Sequence, residues 1–156
     1  MIMADNNFLI ALVADKQKYR LLLQQLERQN HKIGLPTPVL AEFMVRDNNM
    51  ERELFLTTNH SFIQEFDFDK KSAIVSANIM RELLKTDFFK NKSKDKQIIK
   101  VDIQILGITI ANGVKKLFSA DIEIARIIDM LELPIELVNF DENDGLEQSD
   151  LFGTVC

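Results

Sequence analysis

The sequence predicts an α/β fold of one domain, with a central, mostly parallel sheet of four to five strands flanked by helices. Three observations carry this. Short apolar runs alternate along the chain with longer stretches whose apolar residues recur at helical spacing. Punctuation falls between them, at Thr37-Pro38, Asn112-Gly113 and Pro134. Isolated acids stand at the junctions where a strand gives way to a helix.

The elements follow in order. Residues 1–4, MIMA, form a first strand that ends at Asp5. Asp5 or Asn6 then opens a short helix through Phe8, Leu9, Leu12 and Val13. From 15 to 29, Tyr19, Leu22, Leu23 and Leu26 recur among Lys, Arg and Gln, which predicts an amphipathic surface helix. Ile33–Pro36 reads as a second strand. Thr37 is a good N-cap and Pro38 suits a first helical position, so a helix through Val39, Leu40, Phe43 and Met44 follows, with Glu42 in its second turn. Residues 48–58 read as another helix and 62–66 as a third strand. Asp67 or Asp69 caps a long helix whose core face is expected at Ala73, Ile74, Ala77, Met80, Leu83 and Leu84.

A polar connection then carries Lys90, Lys92, Lys94, Lys96 and Lys100. It leads into KVDIQILGITIANGVKKLFSAD, residues 100–121: a buried helix with Asp102 in its first turn, a left-handed C-cap at Asn112 or Gly113, and a strand stopping at Ser119. Asp121 lies just beyond that strand's carboxyl end. Residues 122–131 are helical, Pro134 breaks the helix, and 135–140 form the last strand. The domain runs from 1 to 141, and 142–156 is an acidic tail.

The totals set limits. With 156 residues, 46% hydrophobic and 28% charged, the chain can bury a sizeable core and is too apolar for disorder. A net charge of −5 means that polyanion binding needs a local basic patch. One cysteine, Cys156, allows no internal disulfide. No apolar run reaches the roughly 20 residues of a membrane span, and the amino terminus lacks the features of a signal peptide. A cytoplasmic location without membrane association is expected.

Asp5, Glu42, Asp102 and Asp121 all stand at carboxyl ends of strands or in the early turns of the following helix. A parallel sheet brings such ends to one edge. Carboxylates crowded there repel one another, and Mg²⁺ or Mn²⁺ is the natural neutraliser because hard divalent cations take oxygen ligands. A mostly carboxylate site can orient an attacking water and stabilise a phosphodiester transition state.

These residues resemble the PIN domain nuclease family. The resemblance covers residues 1–140 and rests on Asp5-Asn6-Asn7 before FLIAL, LPTPVLAEFM with Glu42, FDFDKKSAIVSANIMREL, and the 100–121 stretch. Asp5, Glu42, Asp102 and Asp121 match the family's four acids in order, Ser119 its hydroxyl two residues before the last, and Asn7 its polar helper after the first. Asn6 stands where a hydroxyl is usual, and Glu123 is the close candidate for a further acid if it does not face solvent. The resemblance implies a PIN-like fold and metal-dependent endonucleolytic cleavage of RNA, with these four acids as catalytic residues and as ligands of one or two Mg²⁺ or Mn²⁺ ions. It implies a VapC-type toxin of a toxin–antitoxin pair, silenced by a small antitoxin protein and often dimeric.

The 48–58 helix is a candidate dimer surface. Lys94, Lys96 and Lys100 are candidate substrate-binding cations beside Asp102, with Lys115, Lys116 and Arg126 as additions. Phe88 and Phe89 either stack on bases or pack a helix end, while His31 and His60 lie outside the acidic set. The alternative function is a PIN-fold module that binds RNA or protein without cutting. A phosphoacceptor receiver or a phosphatase of the haloacid dehalogenase type is disfavoured, since no lysine follows Lys116 and Asp5-Asn6-Asn7 lacks the phosphatase motif's second Asp.

Overall fold

A computed structural model describes residues 1–45, 50–90 and 96–140. Five strands, β1 (Ile2–Ala4), β2 (Ile33–Pro36), β3 (Ile63–Phe66), β4 (Lys116–Phe118) and β5 (Glu136–Val138), form one sheet in the order β3-β2-β1-β4-β5. Every pairing is parallel. Strands of a parallel sheet covered on both faces have no polar face to show water. Hence β1 and β2 are buried at every position, and β1 is the middle strand.

The helices are α1 (Asn6–Ala14), α2 (Arg20–Arg28), α3 (Thr37–Val45), α4 (Met50–Thr57), α5 (Lys70–Leu84), α6 (Lys96–Ala111) and α7 (Ile122–Leu131). A single 3-10 turn, Asp87–Phe89, follows α5. The core is aliphatic with an aromatic centre. Phe8 stacks on Phe118 at 4.5 Å and meets Phe140 and Tyr19 edge-on at 5.3 and 5.6 Å. The α/β architecture therefore matches the expectation, with five strands, all parallel. The segment from 142 onward, expected as an acidic tail, lies outside the described residues, as do Asn48 and Lys94.

Four expectations need correction. Residues 15–19 form turns, and α2 begins only at Arg20, although Tyr19 is buried as expected. On α5 the buried face is Ser72, Ser76, Ile79 and Leu83, whereas Ile74 and Leu84 are 54% and 64% exposed. The cause is the partner helix. A Cβ added to Gly107 of α6 would stand 2.0 Å from Ser76 Oγ and 3.0 Å from the Ser72 carbonyl. Small residues let the two backbones close up, and Ser76 Oγ donates to the Ile103 carbonyl at 3.2 Å. Ile74 and Leu84 are thereby left outside the contact, while Leu83 is buried as expected. Third, α6 begins at Lys96, so Asp102 is its seventh residue and lies beyond the first turn. Fourth, Lys115 and Lys116 precede and open β4, at the strand's amino end, the edge away from Asp5 and Asp121. There Lys116 lies 3.4 Å from Glu136 at the start of β5.

The turn after α6 follows the expected chemistry. Gly113 has φ of +68°, a conformation that only glycine adopts without strain, and the Val114 N–H closes the helix on the Thr109 carbonyl at 3.0 Å. Lys71 at the start of α5 donates to the Ala111 carbonyl, satisfying another helix-end acceptor.

Candidate functional site

The site is built where β1 and β4 end side by side. Asp5 directly follows β1 and is the N-cap of α1: its Oδ1 accepts from the Asn6 N–H at 2.5 Å. Asp121 does the same for α7, its Oδ1 accepting from the Glu123 and Ile124 N–H groups at 2.6 and 3.3 Å. Ser119, fully buried at the end of β4, joins the two. Its Oγ donates to Asp5 Oδ2 at 2.7 Å and accepts from the Asp121 N–H at 3.0 Å. Two acids separated by more than a hundred residues are thus fixed through one hydroxyl.

Asp102 arrives from α6, on the turn between Ile99 and Ile103, and is only 7% exposed. Its Oδ2 is buried and has no hydrogen-bond partner among the described residues. Glu42, half-buried, comes from the second turn of α3. The Asp102 carboxyl is pushed up to about 8, by burial first and then by the charges of Asp121, Asp5, Glu42 and Glu123 in that order. Asp5 is raised too. Burial is the main cause, the hydrogen bonds from Ser119 and Asn6 oppose it, and the charges of Asp121 and Glu42 add to it. The charges of the other three expected acids therefore all reach Asp102.

A divalent cation fits this donor set. The groups are hard oxygens, Asp102 Oδ2 lacks a donor, and the mutual repulsion is the kind a cation relieves. Among the described residues, no three Asp, Glu, His or Cys side chains already stand as a closed ion cage. The acids share an electrostatic environment without standing at ligand distance.

The remaining expected residues fall in different places. Asn7 is exposed on the first turn of α1. Lys100 is exposed on α6, two residues before Asp102, and Lys96 opens that helix. His60 is stacked on Phe55 at 4.4 Å, and His31 is half-buried at the mouth of β2; neither adds to the raised carboxyls of Asp5 and Asp102.

Two residues gain weight from the structure. Glu123 is half-buried, and its charge reaches Asp102. Asn6 is buried with its Oδ1 unpartnered among the described residues. The signal for Asn6 was its place at the first helical residue after a capping acid, where an inward-facing amide must lie beside that acid.

No protein-family model and no curated protein matches the sequence. Solved structures do match. A chain of VapBC2 from Rickettsia felis, bound to a DNA fragment from their promoter, has a TM-score of 0.63 at 21% identity, covering 89% of this chain and 98% of that one. A chain of DNA-bound VapBC from Salmonella typhimurium has a TM-score of 0.60 at 17% identity, covering 88% and 98%. The likeness is one of fold, and it agrees with the PIN-like fold expected from the sequence.

Proposed function

We propose that the chain is a metal-dependent endoribonuclease that hydrolyses RNA phosphodiester bonds at Asp5, Glu42, Asp102 and Asp121, with Mg²⁺ or Mn²⁺ as cofactor. The observation that carries this reading is the carboxylate of Asp102. Asp5 and Asp121 cap helices and so have structural work of their own. Asp102 lies inside a helix, caps nothing, and keeps a buried oxygen without a partner among the described residues. Burying a carboxylate that way costs several kcal/mol unless something charged or protonated meets it.

The ion, when bound, supplies Lewis acidity toward phosphate oxygens and lowers the pKa of water. The chain's own residues do the rest. Asp102, Asp5, Asp121 and Glu42 provide its oxygens. Ser119 holds the Asp5 carboxylate in place, so that the ends of β1 and β4 act as one unit. Asn7, exposed on the first turn of α1, holds water or phosphate in this reading, and Lys94, Lys96 and Lys100 draw the strand toward Asp102.

The neighbours in fold are VapBC complexes bound to DNA. That likeness supports a further reading, in which this chain is the toxin of a toxin–antitoxin pair and is silenced by a small antitoxin protein. The exposed apolar side chains Val45, Met50 and Leu54, on α3 and α4, provide the surface for a homodimer.

The test is cleavage of labelled single-stranded RNA by the purified chain in Mn²⁺, with EDTA and Asp102→Asn as controls. Cleavage that EDTA and the substitution both abolish supports the ribonuclease. RNA binding with no cleavage in Mn²⁺ would leave the non-catalytic binding module in its place.

A further inference from the structure

We propose that Arg126 is a substrate contact, a guanidinium held ready for a backbone phosphate of the RNA strand beside the acidic rim; this rests on the ribonuclease reading above. An all-acid site repels its own substrate, so a cation must stand near it. Lys115 and Lys116 lie at the amino end of β4, on the other edge of the sheet. Arg126 lies on α7, the helix that Asp121 caps. It is one turn from Glu123, whose charge reaches Asp102.

Its guanidinium lies over an aromatic ring. The guanidinium carbon stands 5.4 Å above the centre of the Phe88 ring. Phe88 is itself 2% exposed, held edge-on by Phe89 at 5.1 Å in the Asp87–Phe89 turn, which the Thr86 hydroxyl caps. A guanidinium held over a fixed ring by cation–π attraction loses less freedom on binding than a free side chain.

Its present ion pair is a loose one. Arg126 Nη1 is 3.6 Å from Glu123 Oε1, well beyond a charge-assisted hydrogen bond, and the arginine side chain is 47% exposed. At that distance, and on a side chain this exposed at the arginine end, the pair holds the guanidinium only weakly. A phosphate entering between Arg126 and a cation held by the acids would have positive charge on both sides.

The test is binding of a short fluorescein-labelled oligouridine to the whole chain in Ca²⁺, followed by anisotropy across a salt series. Each phosphate contact on a single strand contributes roughly 0.7 to the slope of log K against log salt. Arg126→Gln is expected to weaken binding roughly tenfold and to lower the slope by roughly 0.7. Arg126→Lys is expected to keep the slope while losing part of the affinity, because it keeps the charge and loses the guanidinium's paired donors. An unchanged slope in Arg126→Gln overturns the proposal, and if that variant still cuts RNA in Mn²⁺ the ribonuclease reading stands without it. A wild-type chain that neither binds the oligonucleotide nor cuts RNA overturns both.

Discussion

Asp102 is the residue at which sequence and structure press hardest on one another. Its neighbours in α6 are aliphatic, and its carboxyl is pushed up to about 8 by burial first and by Asp121, Asp5, Glu42 and Glu123 after it. An acid raised in the folded state binds protons that the unfolded chain has already lost. Stability without metal is then full below the ordinary aspartate range near pH 4 and falls as pH rises toward 8, by up to about 1.4 kcal/mol per pH unit. Asp102→Asn cannot ionise, so in EDTA its melting temperature is expected to exceed that of the wild type at pH 8 and to converge with it near pH 5. Parallel melting curves across that range would remove the raised carboxyl from the account. Asp5 and Asp121 are legible in the sequence because each follows a strand and caps a helix, a local pattern, whereas Glu42 and Asp102 lie within α3 and α6 and depend on the fold to reach the same rim. Two details were not legible. Asn6 reads as a departure from a motif until its amide is seen turned inward, and Glu123 reads as a surface acid until α7 places it within reach of Asp102. Ser119 shows the limit from the other side: its place before Asp121 is visible in the chain, but its hydrogen bond to Asp5 spans 114 residues and belongs to the fold.

At the scale of elements, the contact of α5 with α6 decides how Asp102 is held. Gly107 lies one turn and a half beyond Asp102 on α6 and packs under Ser72 and Ser76. In an open helix, glycine to alanine would stabilise by about 1 kcal/mol. Here the added Cβ would fall 2.0 Å from Ser76 Oγ and 3.0 Å from the Ser72 carbonyl, and the backbone carbonyl cannot rotate away. Overpacking of this kind costs about 1–3 kcal/mol, so the sign reverses. Gly107→Ala is expected to lower the urea midpoint, and adding Ser76→Gly is expected to recover part of the loss by removing the nearest atom. A stabilised Gly107→Ala would show that the helices can part freely. This contact also explains why the core face of α5 could not be read locally. Hydropathy picks out Ile74 and Leu84, yet the close approach selects serines, and which helix lies opposite is not written in either segment. Boundaries set by capping chemistry fared better: Asp69, Gly113 and Asp121 stand where their residue types require.

For the whole molecule, the order β3-β2-β1-β4-β5 is what turns scattered acids into one rim. The chain steps outward from β1 through β2 to β3, then crosses to β4 on the other side. Ligand sites of open parallel sheets lie at such a reversal, outside the carboxyl ends of the strands. Alternation of strand and helix made a parallel sheet legible, but strand order depends on pairings between distant segments that leave no local mark. The consequence for stability is collective. Folding brings Asp5, Glu42, Asp102, Asp121 and Glu123 into one field, and no single one of them carries the repulsion. A divalent ion that binds only this assembled rim stabilises the folded chain by mass action, by about 2.7 kcal/mol at a hundred times its Kd. For a domain of this size that is a rise in melting temperature of about 5–10 °C. Mn²⁺ is expected to give it at pH 7, while sodium chloride at matched ionic strength, which merely screens, gives much less. Asp5→Asn and Asp102→Asn should each shrink the Mn²⁺ shift, and Lys116→Gln, at the far edge of the sheet, should leave it intact. Equal shifts from the two salts would mean that screening alone relieves the rim, and that these acids have gathered without a cation to hold.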